Sequence, residues 1–115
     1  MKKGFYFIGT YQEDKDGNQF YGPQLEEGSI EKYGGLFIHR KKESRWNVRG
    51  WRLSHTNSGA VVVADLDLKS ARLLANKLQP FKLWDIKTFE EISEAAKDKD
   101  NPEVIEIMEL RHLRA

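Results

Sequence analysis

The sequence contains no cysteine. Disulfide staples, a thiolate nucleophile and every cysteine-based zinc site are thereby excluded, and the chain fits a reducing compartment, so a cytoplasmic location is expected. Long hydrophobic runs are missing as well. No stretch approaches the roughly 18 apolar residues of a membrane span, so no membrane is expected among its partners. The basic opening Met1-Lys2-Lys3-Gly4 leads into a mixed aromatic run broken by Gly9 and Thr10. That run is too short and too polar for the core of a signal peptide. Neither repeats nor low-complexity segments interrupt the chain. Its glycines at 4, 9, 17, 22, 28, 34 and 35 match neither the dinucleotide nor the phosphate-loop spacing, and no cofactor is expected.

Net charge is also scarce. The formal value is +1, so composition by itself names no partner. Its distribution is uneven: residues 1–84 hold 14 Lys/Arg against 9 Asp/Glu, and residues 85–115 hold 5 against 9. The plain reading is a molecule with a basic and an acidic solvated face.

What is present suits one folded unit. A chain of 115 residues is an ordinary domain length, and such a chain buries roughly two thirds of its unfolded surface. At 39% hydrophobic and 32% charged residues it has too much apolar content for a disordered segment. A single domain over 1–115 is expected.

The pattern predicts a strand from Gly4 to Tyr11, rich in aromatic and branched residues, then a polar turn over Glu13–Asn18 and a short return strand at Gln19–Tyr21. Residues 24–35 read as a loop with local helix. From Leu36 the pattern sharpens into strands at 36–41, 46–55 and 60–64, separated by the turns 42–45 and 57–59. Asp67 is an N-cap for a helix carrying Leu68, Ala71, Leu74, Ala75 and Leu78 at helical spacing, ended by Pro80. Phe81–Ile86 reads as a short strand or an extended link. Thr88 with Glu91 forms a capping box for a second helix. Asn101-Pro102 starts a third over 102–113, with a strand as runner-up because of Val104, Ile105 and Ile107. Strands first and helices last give an α+β fold: an antiparallel sheet of about four to five strands, with the meander 36–64 at its heart, packed by two or three C-terminal helices.

The segment 36–52 is the most suggestive of function. Arg40, Lys41, Lys42, Arg45, Arg49 and Arg52 stand against one acid, Glu43, with Trp46 and Trp51 among them. Cations attract phosphates, and flat aromatic rings stack on unpaired bases. With Lys41 opposite Trp46, strand alternation puts Phe37, His39, Lys41, Trp46, Val48 and Arg52 on one face. Leu36, Ile38, Arg40, Arg49, Trp51 and Leu53 take the other. The second face is assigned to the core and the first to a half-exposed contact surface. The expected binding residues are His39, Lys41, Lys42, Arg45, Trp46 and Arg52. Protein and nucleic acid are nearly tied as the partner, because Trp and Arg also dominate protein interfaces.

Other constellations carry less. Asp65 and Asp67 form a pair of carboxylates that would suit Mg²⁺ or Mn²⁺, yet no third ligand has a matching spacing, and helix capping explains Asp67 more simply. The run Asp14-Lys15-Asp16-Gly17-Asn18 lacks the Glu of a calcium loop and has Pro23 in its place. His39, His55 and His112 show no ligand-type spacing, and adjacent Ser54 and His55 point to opposite faces of a strand. No catalytic or metal residue is assigned. The glutamates of the last two helices read as a solvated face. The expected function is a non-catalytic module that binds another macromolecule. The alternatives are a small metal-dependent enzyme using Asp65 and Asp67, and a self-associating homo-oligomer built by sheet-edge or helix pairing.

Overall fold

The computed structural model describes residues 2–40 and 50–113, the side chains of Thr10, His112 and Leu113 excepted. The first hairpin is long. Strand β1 (Lys2–Glu13) pairs antiparallel with β2 (Gln19–Tyr33) over twelve rungs, from Lys2 opposite Ile30 to Glu13 opposite Gln19. The turn between them is closed by Asp14, whose carboxylate accepts from the N–H groups of Asp16 and Asn18 at 2.9 Å each. Gly17 completes it at φ +81°, where a side chain would be strained.

Residues 24–33 thus belong to a strand, not to the loop with local helix that their composition suggests. Glu26, Glu27, Gly28 and Ser29 are poor strand formers alone. Here Glu26 and Glu27 lie opposite Tyr6 and Phe5, which have strong β character, and the continuous pairing with β1 overrides local preference.

The meander follows as expected. β3 (Leu36–Arg40), β4 (Trp51–His55) and β5 (Val61–Leu66) continue the antiparallel sheet in the order β1-β2-β3-β4-β5. The register differs from the sequence-based one: Arg40 lies opposite Trp51 and Leu36 opposite His55. The difference is an even number of residues, so the division into two faces survives. On one face Leu36, Ile38 and Leu53 join Val63 and Leu66 in the core. Pairing of β4 with β5 is irregular between Trp51 and Ser54, and Asp65 takes a left-handed φ of 57° there.

Three helices cover that face. α1 (Leu68–Leu78) is capped by Asp67, whose carboxylate accepts from the Ser70 N–H at 2.7 Å. It buries Ala71, Ala75 and Leu78. The segment expected as a strand or link at 81–86 contains a 3-10 turn, Lys82–Asp85, which drives Leu83 and Trp84 into the core. Glu103 holds this turn by accepting from the Lys82 and Leu83 N–H groups at 2.9 Å each. α2 (Phe89–Ala95) begins with the expected capping box: Thr88 accepts from the Glu91 N–H at 3.2 Å and donates to the Glu91 carboxylate at 2.9 Å. α3 (Pro102–Leu113) is a helix despite its β-branched residues, and it buries Val104 and Ile107. Each fully buried Leu or Ile in this layer contributes about 1.5–3 kcal/mol.

The sheet does not stay flat. β2 runs well past the end of β3, so a straight hairpin would leave its tip far from the β4–β5 turn. Instead the Gly9 N–H donates to the Gly59 carbonyl in that turn at 2.9 Å. Tyr6 lies 5.3 Å from the Phe37 ring and 5.0 Å from the His39 ring, and Tyr21 lies 4.9 Å from the Phe89 ring on α2. The β1–β2 ribbon therefore curls over the meander. Its even-numbered side chains in β1, Tyr6 and Ile8, turn inward, and its odd-numbered ones, Phe5, Phe7 and Tyr11, turn out.

Candidate functional site

Of the six residues expected to bind, Lys41, Lys42, Arg45 and Trp46 lie outside the described residues, as do Val48 and Arg49. His39 and Arg52 face each other across β3 and β4. His39 is not on a half-exposed surface: it is 2% exposed. The reason is the curled ribbon, which lays Tyr6 over Phe37 and His39, so β3 is covered on both faces. Arg52 is half-buried, and its Nε is shielded from water with no hydrogen-bond partner among the described residues. Arg40 is exposed at the end of β3, with its guanidinium 5.5 Å from the Trp51 ring centre.

Two buried histidine–serine pairs occupy the interior. His39 Nε2 lies 2.8 Å from Ser54 Oγ. Burial, and secondarily the Arg52 charge, push the His39 pKa down to about 4, although backbone hydrogen bonding at Arg40 opposes this. The ring is thus neutral at pH 7. Serine beside neutral imidazole is the arrangement of a nucleophile and base, but Ser54 is 0% exposed and the pair is closed to solvent.

The second pair is equally closed. His55 Nε2 lies 2.8 Å from the Trp84 carbonyl, an obligate acceptor, so Nε2 carries the proton. Nδ1 is then the acceptor, and the Ser58 hydroxyl donates to it at 2.7 Å. Ser58 in turn accepts from the Ala60 N–H at 3.1 Å. Every polar atom in this chain of bonds is used, and burial holds the His55 pKa below its usual value. Adjacent Ser54 and His55 thus serve separate clusters on the two sides of β4. The first links β4 to its neighbour β3, and the second ties the β4–β5 turn to the 3-10 turn at Trp84.

The accessible chemistry lies elsewhere. On the outer face of the ribbon, cross-strand pairing places Phe7 beside Leu25 and Tyr11 beside Tyr21, with Phe5 next in line. Their exposures are 67% for Phe5, 43% for Phe7, 77% for Tyr11, 41% for Tyr21 and 56% for Leu25. Scattered exposed apolar residues are ordinary, but a row of them along one ribbon face, interrupted only at the Gly9–Pro23 rung, is not. The two strands and their turn carry Lys2, Lys3, Lys15 and Lys32 against Glu13, Asp14, Asp16, Glu26, Glu27 and Glu31, the last paired with Arg72 of α1 at 3.0 Å, so the ribbon has no excess of cations.

A second accessible feature is a cleft between β5, α2 and α3, lined by Phe89, Ile92, Ile107 and Met108, with Arg111 among its wall residues. Asp67 is committed to capping α1, and no group of three His, Asp or Glu side chains arranged for a metal occurs among the described residues. No described helix is long and apolar enough to cross a membrane.

Sequence reasoning found the aromatic strand but not the stripe. The signal was there: Phe5 and Phe7 alternate with Tyr6 and Ile8, so β1 is apolar on both faces, and a ribbon covers only one. Arg111 was also legible, since Val104, Ile107, Met108 and Arg111 follow helical spacing and put a cation at the end of an apolar row. No family model, curated protein or solved structure matches this chain.

Proposed function

We propose that the chain is a non-catalytic interaction module that binds another protein through the outer face of the β1–β2 ribbon. The observation that carries this reading is the exposed stripe of Phe5, Phe7, Tyr11 and Leu25. Burying such side chains against a partner supplies the main driving force of association, and aromatic residues are preferred anchors. The lack of any excess of cations on the ribbon argues for protein over a polyanion at this face. The complementary surface is apolar at its centre with Lys or Arg at its rim. The closed histidine–serine pairs and the capping role of Asp67 favour binding over catalysis.

The test is site-specific photo-crosslinking in cells. A crosslinker replaces Tyr11 or Leu25 on the ribbon, or Asp98 as a distant control. Discrete protein adducts at 11 and 25 but not at 98, competed by purified wild-type chain and not by a Phe5→Ser/Phe7→Ser/Leu25→Ser variant, support the reading. Absence of adducts at 11 and 25, or equal adducts at 98, overturns it. Adducts whose mass is that of the chain itself, with a concentration-dependent mass in ultracentrifugation, identify the partner as a second copy. Labelled single-stranded DNA, RNA and duplex DNA provide the other arm. Binding that falls steeply with salt and is lost in Trp46→Ala/Arg45→Ala would move the function to the basic segment 36–52.

A further inference from the structure

The cleft between β5, α2 and α3 has a volume of about 370 Å³. That is the small end of the range found for small-molecule sites. Phe89 and Ile92 of α2 face Ile107 and Met108 of α3 across it, and Tyr21 of the ribbon closes one side. No acidic side chain lines it among the described residues. His55 also lines it, but both its ring nitrogens are committed to Ser58 and Trp84. Arg111 is the charged group that remains.

Arg111 is held on one side and open to solvent on the other. Its Nε donates to the Val62 carbonyl at 2.6 Å, and one terminal nitrogen lies 3.4 Å from the Val61 carbonyl. A guanidinium carries five N–H donors. Its remaining donors have no partner among the described residues, and no carboxylate there lies within ion-pair distance. Anchoring through Nε to the β5 backbone fixes the side chain beside an apolar space. Partial burial of the guanidinium lowers its pKa, while the residue as a whole stays exposed to solvent. Arg111 is an exposed residue at the rim of an apolar space, and a guanidinium so placed suits a ligand that brings a single negative charge on an apolar body.

We infer that the cleft binds a free small-molecule carboxylate with an apolar chain or ring, its hydrocarbon between α2 and α3 and its carboxylate on the Arg111 guanidinium. This site goes beyond the ribbon reading. It shares only Tyr21 with the stripe, and the two are tested separately.

The experiment uses the full chain with decanoate and, as its uncharged counterpart, 1-decanol, followed by calorimetry and amide chemical shifts. Saturable one-to-one decanoate binding is expected, about tenfold tighter than decanol, with shifts centred on Ile92 and Ile107. Arg111→Gln, confirmed as folded by circular dichroism, should weaken decanoate about tenfold and leave decanol unchanged. Met108→Trp, at an exposed position on the wall, should weaken both by filling the space. The ribbon variant Phe5→Ser/Leu25→Ser should leave decanoate binding intact, so failure of one proposal is visible without the other. No saturable decanoate binding at millimolar concentration, equal affinity for acid and alcohol, or an acid preference that survives Arg111→Gln would each overturn the assignment.

Discussion

Gly59 is the point where the curled ribbon is fastened to the meander, and replacing it by alanine tests the curl directly. Two costs arise together. Gly59 has φ +76°, a left-handed conformation that costs a residue with a Cβ about 1–2 kcal/mol. A Cβ there would also stand 2.6 Å from the Phe7 carbonyl carbon and 2.7 Å from its oxygen. Those are backbone atoms, so relief requires β1 to move off the turn. Such a move breaks the bond from the Gly9 N–H to the Gly59 carbonyl, worth about 1 kcal/mol. Gly17 provides the control. It has φ +81°, but a Cβ there meets only the end of the flexible Glu13 side chain at 3.4 Å. Gly17→Ala should therefore cost about 1–2 kcal/mol from strain alone, and Gly59→Ala about 3 kcal/mol or more. Urea denaturation measures both, and hydrogen exchange at the Gly9 amide reports the local detachment. Equal losses for the two variants, or a Gly9 amide still protected in Gly59→Ala, would refute the fastening.

Two further outcomes follow from the buried polar groups. Burial holds His39 at about 4 when folded against 6.5 for the ordinary group, so within that window the unfolded chain binds a proton that the folded chain does not. Stability is full above about pH 6.5 and falls as pH drops towards 4, by about 3 kcal/mol for this residue. Urea midpoints taken from pH 7 to 5 should be distinctly flatter in His39→Gln; a slope as steep as that of wild type would contradict the assignment. Glu103 accepts two backbone N–H bonds of the 3-10 turn, so Glu103→Ala should cost about 1–2 kcal/mol and Glu103→Gln less. An unchanged thermal midpoint in Glu103→Ala would show that the turn is held by packing of Leu83 and Trp84 alone.

Local chemistry determined the helices. Asp67, Thr88 with Glu91, and Asn101-Pro102 each mark a helix start within a few residues, because a cap is a bond between near neighbours. The two faces of the meander were legible for a related reason. Strand alternation has a period of two, so an even error in register leaves each side chain on its own face, and Leu36, Ile38 and Leu53 reach the core whether Trp51 or another residue lies opposite Arg40.

Tertiary structure decided the rest. Residues 24–33 carry no strand pattern of their own and are ordered by pairing with β1, a contact between segments about twenty residues apart. His39 reads as a surface residue until the ribbon folds over it, since alternation tells which side chains share a face and not what covers that face. The same curl exposes Phe5, Phe7 and Tyr11 and brings Tyr21 to the cleft between α2 and α3. Each of these outcomes depends on where distant segments meet, as Gly9 meets Gly59. The sequence determined which residues belong together on an element, and packing alone chose which of those groups face water.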